Sequence, residues 1–253
     1  MVPLNELVNY LNRLLSVEKY QDYGPNGLQL RGGDFVGRLI TGVSISQDLI
    51  EVAIDKNADT IMVHHGLWRY KDSLPPSEIT KKRLSRLLEK NLTLLAYHFP
   101  LDFHPDFGNN VELARLLSLE RFYPEISPDN SGSNQFYFGK FAQPLSGLQL
   151  AARLKKQLGR DPLYLSGMGN TISTVAIMTG GAQRMISKVP EGIDAFITGE
   201  VSEETVLNAR ESGLHFYAAG HHATERYGVR SLGEHLAKNF DISTSFVDIE
   251  NPV

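Results

Sequence analysis

Leu39-Ile40-Thr41-Gly42-Val43-Ser44-Ile45-Ser46, then Gln47 to Lys56, then Thr60-Ile61-Met62-Val63-His64-His65-Gly66, is the stretch whose reading decides the fold. Its first segment is an apolar, β-branched run and reads as a strand. Gln47 to Lys56 reads as a helix, and Thr60 to His64 as a second short strand. Strand, helix and strand in that order make a β-α-β unit, which favours parallel strands.

The alternation continues in both directions. Leu4, Leu7, Val8, Leu11, Leu14 and Leu15 follow helical spacing, so an amphipathic helix opens the chain. Gly24-Pro25-Asn26-Gly27 is a turn signal. Ser77 to Lys90 is a helix capped by Ser77 and Thr80, Leu92 to His98 a strand, and Asn109 to Leu117 a helix. Tyr123 to Asn134 is rich in Pro, Ser, Asn and Gly and is the best linker candidate. Beyond it come strand Phe136 to Phe141, helix Leu145 to Leu158 and strand Thr174 to Met178, which ends at Gly180-Gly181-Ala182 with a helix expected next. Strand Ala195 to Thr198, helix Ser202 to Ser212, strand Leu214 to Ala219, helix Thr224 to Asn239 and strand Thr244 to Val247 follow. Such alternation means α/β architecture with sheets covered on both sides. The same pattern on both sides of the linker suggests two similar lobes, although no residue-level repeat supports it.

Composition narrows the function classes. With 253 residues, 42% hydrophobic and 21% charged, the chain has the make-up of a soluble globular protein. A net charge of −4 argues against a general electrostatic grip on nucleic acid. Lys81-Lys82-Arg83 and Arg153 with Lys155 and Lys156 fall in helical patterns and read as solvated faces. Without cysteine, thiolate metal sites and cysteine nucleophiles are excluded. Residues 1–20 carry Glu6, Arg13, Glu18 and Lys19 where a signal peptide would be apolar, and no run reaches the length of a membrane span. The expected setting is cytoplasmic, with no membrane partner.

All eight histidines fall within 64–104 and 215–235. Ligands of open α/β sheets bind beyond the carboxyl ends of strands. Three polar clusters sit at such ends: His64 with His65; His98 with Asp102 in the loop after it; and His221 with His222, followed by Glu225 at the start of a helix. Imidazole and carboxylate groups gathered this way are the donors of a nitrogen and oxygen metal site. Successive residues of a strand point to opposite sides, so His64 and His65 would more easily serve one metal each unless the backbone turns. Gly66 would permit that turn, or let another group approach closely. His221 and Glu225, four apart on a helix, would share a face. Asp102 or Glu225 could bridge two cations. His98 and His222 are candidates for orienting a ligand or facing a substrate. His104, His215 and His235 read as structural, with His215 inside an apolar strand and His235 exposed in mid-helix.

Gly180-Gly181 could cradle a phosphate, but a tight strand-to-helix turn explains it better, and Gly167-Met168-Gly169-Asn170 is as weak. No P-loop, no GxGxxG after a strand and no GxSxG elbow is present.

At these residues the chain resembles a known family. Met62-Val63-His64-His65-Gly66-Leu67, Ala96-Tyr97-His98-Phe99-Pro100-Leu101-Asp102, Ile197-Thr198-Gly199-Glu200 and Ala219-Gly220-His221-His222-Ala223-Thr224-Glu225-Arg226 are similar to signature segments of the NGG-interacting-factor-three-like family, whose members are often labelled GTP cyclohydrolase I type 2 homologues. The resemblance is collinear and includes Asn26-Gly27-Leu28-Gln29. It implies a mixed-sheet, two-lobed α/β fold with a dinuclear metal site in the cleft between lobes. The lobes would be 1–103 plus about 224–253, and about 104–223, without the inserted third domain of longer members. The family ligands map onto His64, His65, Asp102, His221 and Glu225, and a ring-shaped homohexamer is implied.

The function expected from these readings is hydrolysis by two divalent ions (iron, manganese, zinc or nickel) that deprotonate a bridging water to a hydroxide nucleophile. His98 would be the proton shuttle or an orienting group. The substrate is undefined, a nucleotide-like small molecule being one candidate. GTP cyclohydrolase activity proper is a second reading. A non-catalytic metal-binding scaffold or regulator, in a ring with protein or nucleic-acid partners, is a third, its nucleic-acid version weakened by the acidic balance.

Overall fold

The computed structural model describes residues 1–69, 75–124 and 136–253. In chain order the strands are β1 (Val2–Pro3), β2 (Gly27–Leu30), β3 (Phe35–Val36), β4 (Arg38–Ser44), β5 (Thr60–His65), β6 (Thr93–Ala96), β7 (Arg121–Pro124), β8 (Tyr137–Leu145), β9 (Leu163–Leu165), β10 (Ile172–Ile177), β11 (Ala195–Thr198), β12 (His215–Ala218) and β13 (Ser243–Phe246). The helices are α1 (Leu4–Leu14), α2 (Gln47–Asp55), α3 (Glu78–Glu89), α4 (Phe99–Asp102), α5 (Asn109–Leu116), α6 (Gly147–Leu158), α7 (Glu203–Ser212) and α8 (His221–Asn239). The described residues divide into two compact units, 1–107 with 228–250, and 108–227 with 251–253.

The first unit is built on a sheet of order β13-β4-β5-β6-β2. Strands β13, β4, β5 and β6 run parallel, and β2 adds an antiparallel edge. Burial explains the unbroken apolar strands. Leu39, Met62 and Leu95 enter one core with Leu4, Leu7 and Leu11 of α1. Their neighbours Ile40, Ile61 and Leu94 enter a second core with Leu49 and Ile50 of α2. Alternate residues thus serve opposite faces of a sheet covered on both. Each α1 leucine in this core is fully buried, which contributes about 1.5–3 kcal/mol per side chain. The helices begin where side-chain oxygens can accept from the first turn. Ser46 accepts from the Leu49 amide and Ser77 from that of Thr80.

The second unit has a mixed sheet of order β7-β8-β10-β11-β12-β9, in which only the pairs β10–β11 and β11–β12 are parallel. Val175, Ile177, Ala195, Ile197 and Tyr217 form its core with Leu150, Leu154 and Leu158 of α6. Ser146 closes a capping box with Gln149 at the start of α6, and Gly159 ends the helix at φ 75°.

Alternation by itself favours parallel strands, whereas the two larger sheets are mixed, as the family resemblance implies, and β1 and β3 form a separate antiparallel pair. The short strands β2, β7 and β9 pair antiparallel at sheet edges, where they bury too little for an alternating pattern to show. Other sequence expectations change. The helix expected after Gly180-Gly181-Ala182 is a 3-10 helix, Gln183–Lys188. Of the linker candidate 123–134, Tyr123 and Pro124 end β7, and the remainder lies outside the described residues. Helix α8 begins at His221, three residues earlier than expected. Among the described residues no helix is long and apolar enough to cross a membrane.

Candidate functional site

The parallel strands of the first unit deliver three imidazoles to one place. Strand β5 ends in His64 and His65, and His98 lies two residues beyond the end of β6, after Tyr97. The ring centroids of His64 and His65 stand 4.6 Å apart, those of His64 and His98 4.7 Å, and those of His65 and His98 5.4 Å. One donor atom from each lies within 4.8 Å of the others, a grouping that could hold a metal ion. Strand alternation had argued for separating the adjacent pair. At the strand terminus the two rings nonetheless converge, so a shared ion is geometrically open. Gly66 is not among the positive-φ residues, so it does not use the left-handed conformation open to glycine. It makes room instead: a Cβ there would lie 2.2 Å from Oε1 of Gln29. That oxygen accepts from the Leu67 amide at 2.8 Å and fixes the chain just beyond the histidines.

Each ring is held through Nδ1. His64 Nδ1 lies 2.9 Å from the Tyr97 carbonyl oxygen, which can only accept, so Nδ1 carries the proton. In the neutral ring the lone pair is then on Nε2, which lies 3.4 Å from Asp102 Oδ1. Two electron-pair donors facing one another across that distance are suited to a shared proton or a cation. His64 is 1% exposed and Asp102 7%, so water screens this pair poorly. His65 Nδ1 meets Ser44 Oγ at 2.8 Å, on the register-paired residue of β4. Asp102 is the last residue of the one-turn helix α4 and not a loop residue, its amide bonded to the His98 carbonyl at 3.0 Å.

Asp22, which the sequence reading missed, holds the third ring: its Oδ1 accepts from His98 Nδ1 at 2.6 Å. Its Oδ2 accepts from Asn26 Nδ2 and from the Phe99 amide, both at 2.9 Å. Asn26 Oδ1 in turn accepts from the His98 amide at 2.7 Å. Burial would raise the Asp22 carboxyl, but its bonds to His98, Asn26 and Phe99 outweigh burial and hold it below the ordinary aspartate value. The turn signal at 24–27 was the available clue, since a turn there brings residues 22 and 26 together.

In the second unit His221 and Glu225 share a face of α8, as their spacing predicts, with Nε2 and Oε2 3.2 Å apart. Glu200, just after β11, meets His221 Nδ1 at 2.6 Å. Its place at the end of Ile197-Thr198-Gly199-Glu200, a carboxylate just beyond an apolar strand, is the signal in the sequence that marks it. Burial opposes charge on His221, and the Glu225 and Glu200 carboxylates overcome it, so its pKa is pushed up to about 9. Gly180 sits beneath this pair at φ 70°, and a Cβ there would lie 2.0 Å from Glu225 Oε1. Its amide donates to Thr224 Oγ1 at 3.0 Å, and its carbonyl accepts from the Gly199 amide at 2.8 Å. Gly180 therefore makes the tight turn and admits Glu225, and its amide is not offered to a phosphate.

His222 joins no donor grouping among the described residues, and its amide bonds the Val253 carbonyl at 3.0 Å. His215 is structural as expected, bonded to Gly169 O at 2.8 Å and Tyr164 Oη at 2.9 Å. His104 also builds structure, with Nε2 3.2 Å from the Leu14 carbonyl oxygen. His235 is half-buried and not exposed, 2.6 Å from Tyr10 Oη and packed on Phe107.

The histidine and carboxylate donors at the strand ends of these mixed-sheet α/β units form groupings that could hold a metal ion. The chain belongs to the Duf34/NIF3 (NGG1p interacting factor 3) family, whose model matches residues 2–252, as the motif resemblance indicates. A "GTP cyclohydrolase 1 type 2 homolog" of Haemophilus influenzae is 46% identical over 251 residues, covering 98% of each chain. One of Escherichia coli K12 is 43% identical over 249 residues, again covering 98% of each. Among solved structures, protein ybgI, titled as of unknown function, has a TM-score of 0.93 at 43% identity, and TTHA1606 from Thermus thermophilus 0.89 at 32%, each covering 100% of both chains.

Proposed function

We propose that this protein is a metal-dependent hydrolase that binds two divalent cations per chain. The ligands, as the family resemblance implies, are His64, His65 and Asp102 of the first unit and His221 and Glu225 of the second. One observation carries the reading: the buried Nε2 of His64 faces the Asp102 carboxylate at 3.4 Å while Nδ1 is committed to a carbonyl. A cation fits two such donors, and the nitrogen and oxygen set suits iron, manganese, zinc or nickel. Bound divalent ions would supply Lewis acidity and lower the pKa of water. The chain's own part is to orient the rings through Tyr97, Ser44 and Glu200, and to give up the proton of His221 when that ring becomes a ligand. The names of the relatives make GTP the first substrate to try, with ring opening and formate release as the readout. The family resemblance also implies a homohexameric ring, which light scattering would report as six times 28.2 kDa.

Elemental analysis of protein purified without chelator tests the metal. About two equivalents per chain are expected, and Asp102→Ala and Glu225→Ala should each lose metal with little change in circular dichroism. Wild-type protein that carries no metal and takes none up on reconstitution would refute the proposal. Metal without turnover of GTP or of a phosphoester and amide panel would favour a non-catalytic, metal-binding regulator.

A further inference from the structure

We propose that Glu200 and Gln183 are a positioning pair for His221. Glu200 holds the Nδ1 proton, so that Nε2 is the atom offered to a cation beside Glu225, and Gln183 holds Glu200 off that cation. The inference rests on the metal-binding reading above and deepens it by two residues, both within the second unit.

The backbone puts Glu200 where the first unit puts a donor. Asp59 and Asp194 each stand just before the second strand of a parallel pair, β5 and β11. Oδ2 of Asp59 accepts from the amides of Gly37 and Arg38, both at 2.8 Å. Oδ2 of Asp194 accepts from those of Ser173 and Thr174, again both at 2.8 Å. The Asp59 carbonyl accepts from the Thr93 amide at 3.0 Å, and the Asp194 carbonyl from the His215 amide at 3.1 Å. Further along, the carbonyls of Val63 and Thr198 accept from the Tyr97 and Ala219 amides at 3.0 and 2.8 Å. This match sets His65 against Glu200, each six residues beyond its aspartate. Both units therefore present a polar side chain at the carboxyl end of the equivalent strand, where ligands of such sheets bind.

Their chemistry differs. Glu200 joins none of the donor groupings among the described residues, whereas His65, His221 and Glu225 do. Its Oε1 lies 2.6 Å from His221 Nδ1, a distance at which a carboxylate accepts the ring proton. The other ring nitrogen, Nε2, lies 3.2 Å from Glu225 Oε2. Gln183 Nε2 donates to the remaining oxygen of Glu200 at 3.2 Å. The amide has to face that way, since its carbonyl oxygen would meet a carboxylate oxygen. A Cβ on Gly181 would lie 3.4 Å from His221 Cε1 and 3.6 Å from Glu200 Cδ, so ring and carboxylate both pack on this turn. A carboxylate behind a histidine fixes its tautomer and raises its strength as a ligand.

The test uses full-length, chelator-stripped protein titrated with Co²⁺ and with Zn²⁺, for wild type, Glu200→Gln, Glu200→Ala and Gln183→Ala. Ser202→Ala is the control, since it removes the α7 cap bonded to Thr205 close by in the chain. Glu200→Gln keeps an acceptor without the charge and should bind one of the two ions about 10-fold more weakly, and Glu200→Ala about 100-fold, both with shifted visible Co²⁺ bands. Gln183→Ala releases the carboxylate toward the ion and should change the Co²⁺ bands; bands identical to wild type would remove Gln183 from the pair. Ser202→Ala should lower the urea midpoint and bind as wild type does. Binding weakened as much by Ser202→Ala as by Glu200→Gln would make the effect one of local structure and overturn the proposal. If Glu200→Ala fails to fold, the isosteric Glu200→Gln decides the matter. Wild type that binds metal while the Glu200 variants match it in affinity and spectrum overturns the assignment and leaves the proposed function standing. Wild type that binds neither ion overturns both.

Discussion

Gly180→Ala probes how the second unit holds its carboxylate. Gly180 has φ 70°, and an added Cβ would lie 2.0 Å from Glu225 Oε1, a full ångström inside the 3.0 Å that real Cβ contacts respect. Its backbone cannot retreat easily, being tied to Thr224 and Gly199 on either side. The left-handed conformation costs an alanine about 1–2 kcal/mol, and overpacking a filled site about 1–3 kcal/mol. A loss of about 2–5 kcal/mol in urea unfolding of metal-free protein is expected. Gly192→Ala separates the two effects, because Gly192 has φ 84° and nothing within 4 Å of the added Cβ. It should show only the conformational cost. The displaced Glu225 would also cease to support charge on His221, whose titration, followed by NMR, should move down from about 9. Equal destabilisation by the two substitutions, with an unchanged His221 titration, would refute the packing argument.

Other consequences follow from the same geometry. His221 titrates higher in the folded, metal-free protein than the unfolded value of about 6.5. Its contribution to stability is therefore complete below about 6.5 and lost as pH rises through about 9, and urea midpoints from pH 6 to 10 should fall more in wild type than in His221→Asn. Gly66→Ala would bring a Cβ 2.2 Å from Gln29 Oε1 and should cost about 1–3 kcal/mol, most of it recovered when Gln29→Ala is combined with it, as a double-mutant cycle will show. Leu154→Ala removes a fully buried side chain from the second core and should cost about 2–5 kcal/mol by chemical denaturation, while full metal uptake persists under conditions where the variant is folded.

Much of the fold was legible because burial and backbone period coincide. Strands β4, β5 and β11 are buried along nearly their whole length and read as apolar runs, and α1 buries one stripe that recurs at helical spacing. The serines at 46, 77, 146 and 202 accept from first-turn amides, local chemistry that the sequence carries in plain view. Strands β2 and β9 were illegible because each is three or four residues long and only partly buried, so the partner strand, and not the local pattern, makes it a strand. The candidate site divides the same way. His64, His65, His221 and Glu225 stood out by type and spacing, whereas Asp22 is one aspartate among many until the turn at 22–26 brings it to His98.

The sequence by itself determined the α/β class, the family and the donor types, since hydrophobic period, collinear motifs and side-chain chemistry are local properties of the chain. Only the tertiary structure decided which nitrogen of each histidine is committed. That choice belongs to Tyr97, Ser44, Asp22 and Glu200, at sequence separations of 33, 21, 76 and 21 residues from the rings they hold. It likewise decided that Gly66 and Gly180 serve side chains packed against them, because an absent Cβ acquires meaning only from the atom that occupies its place.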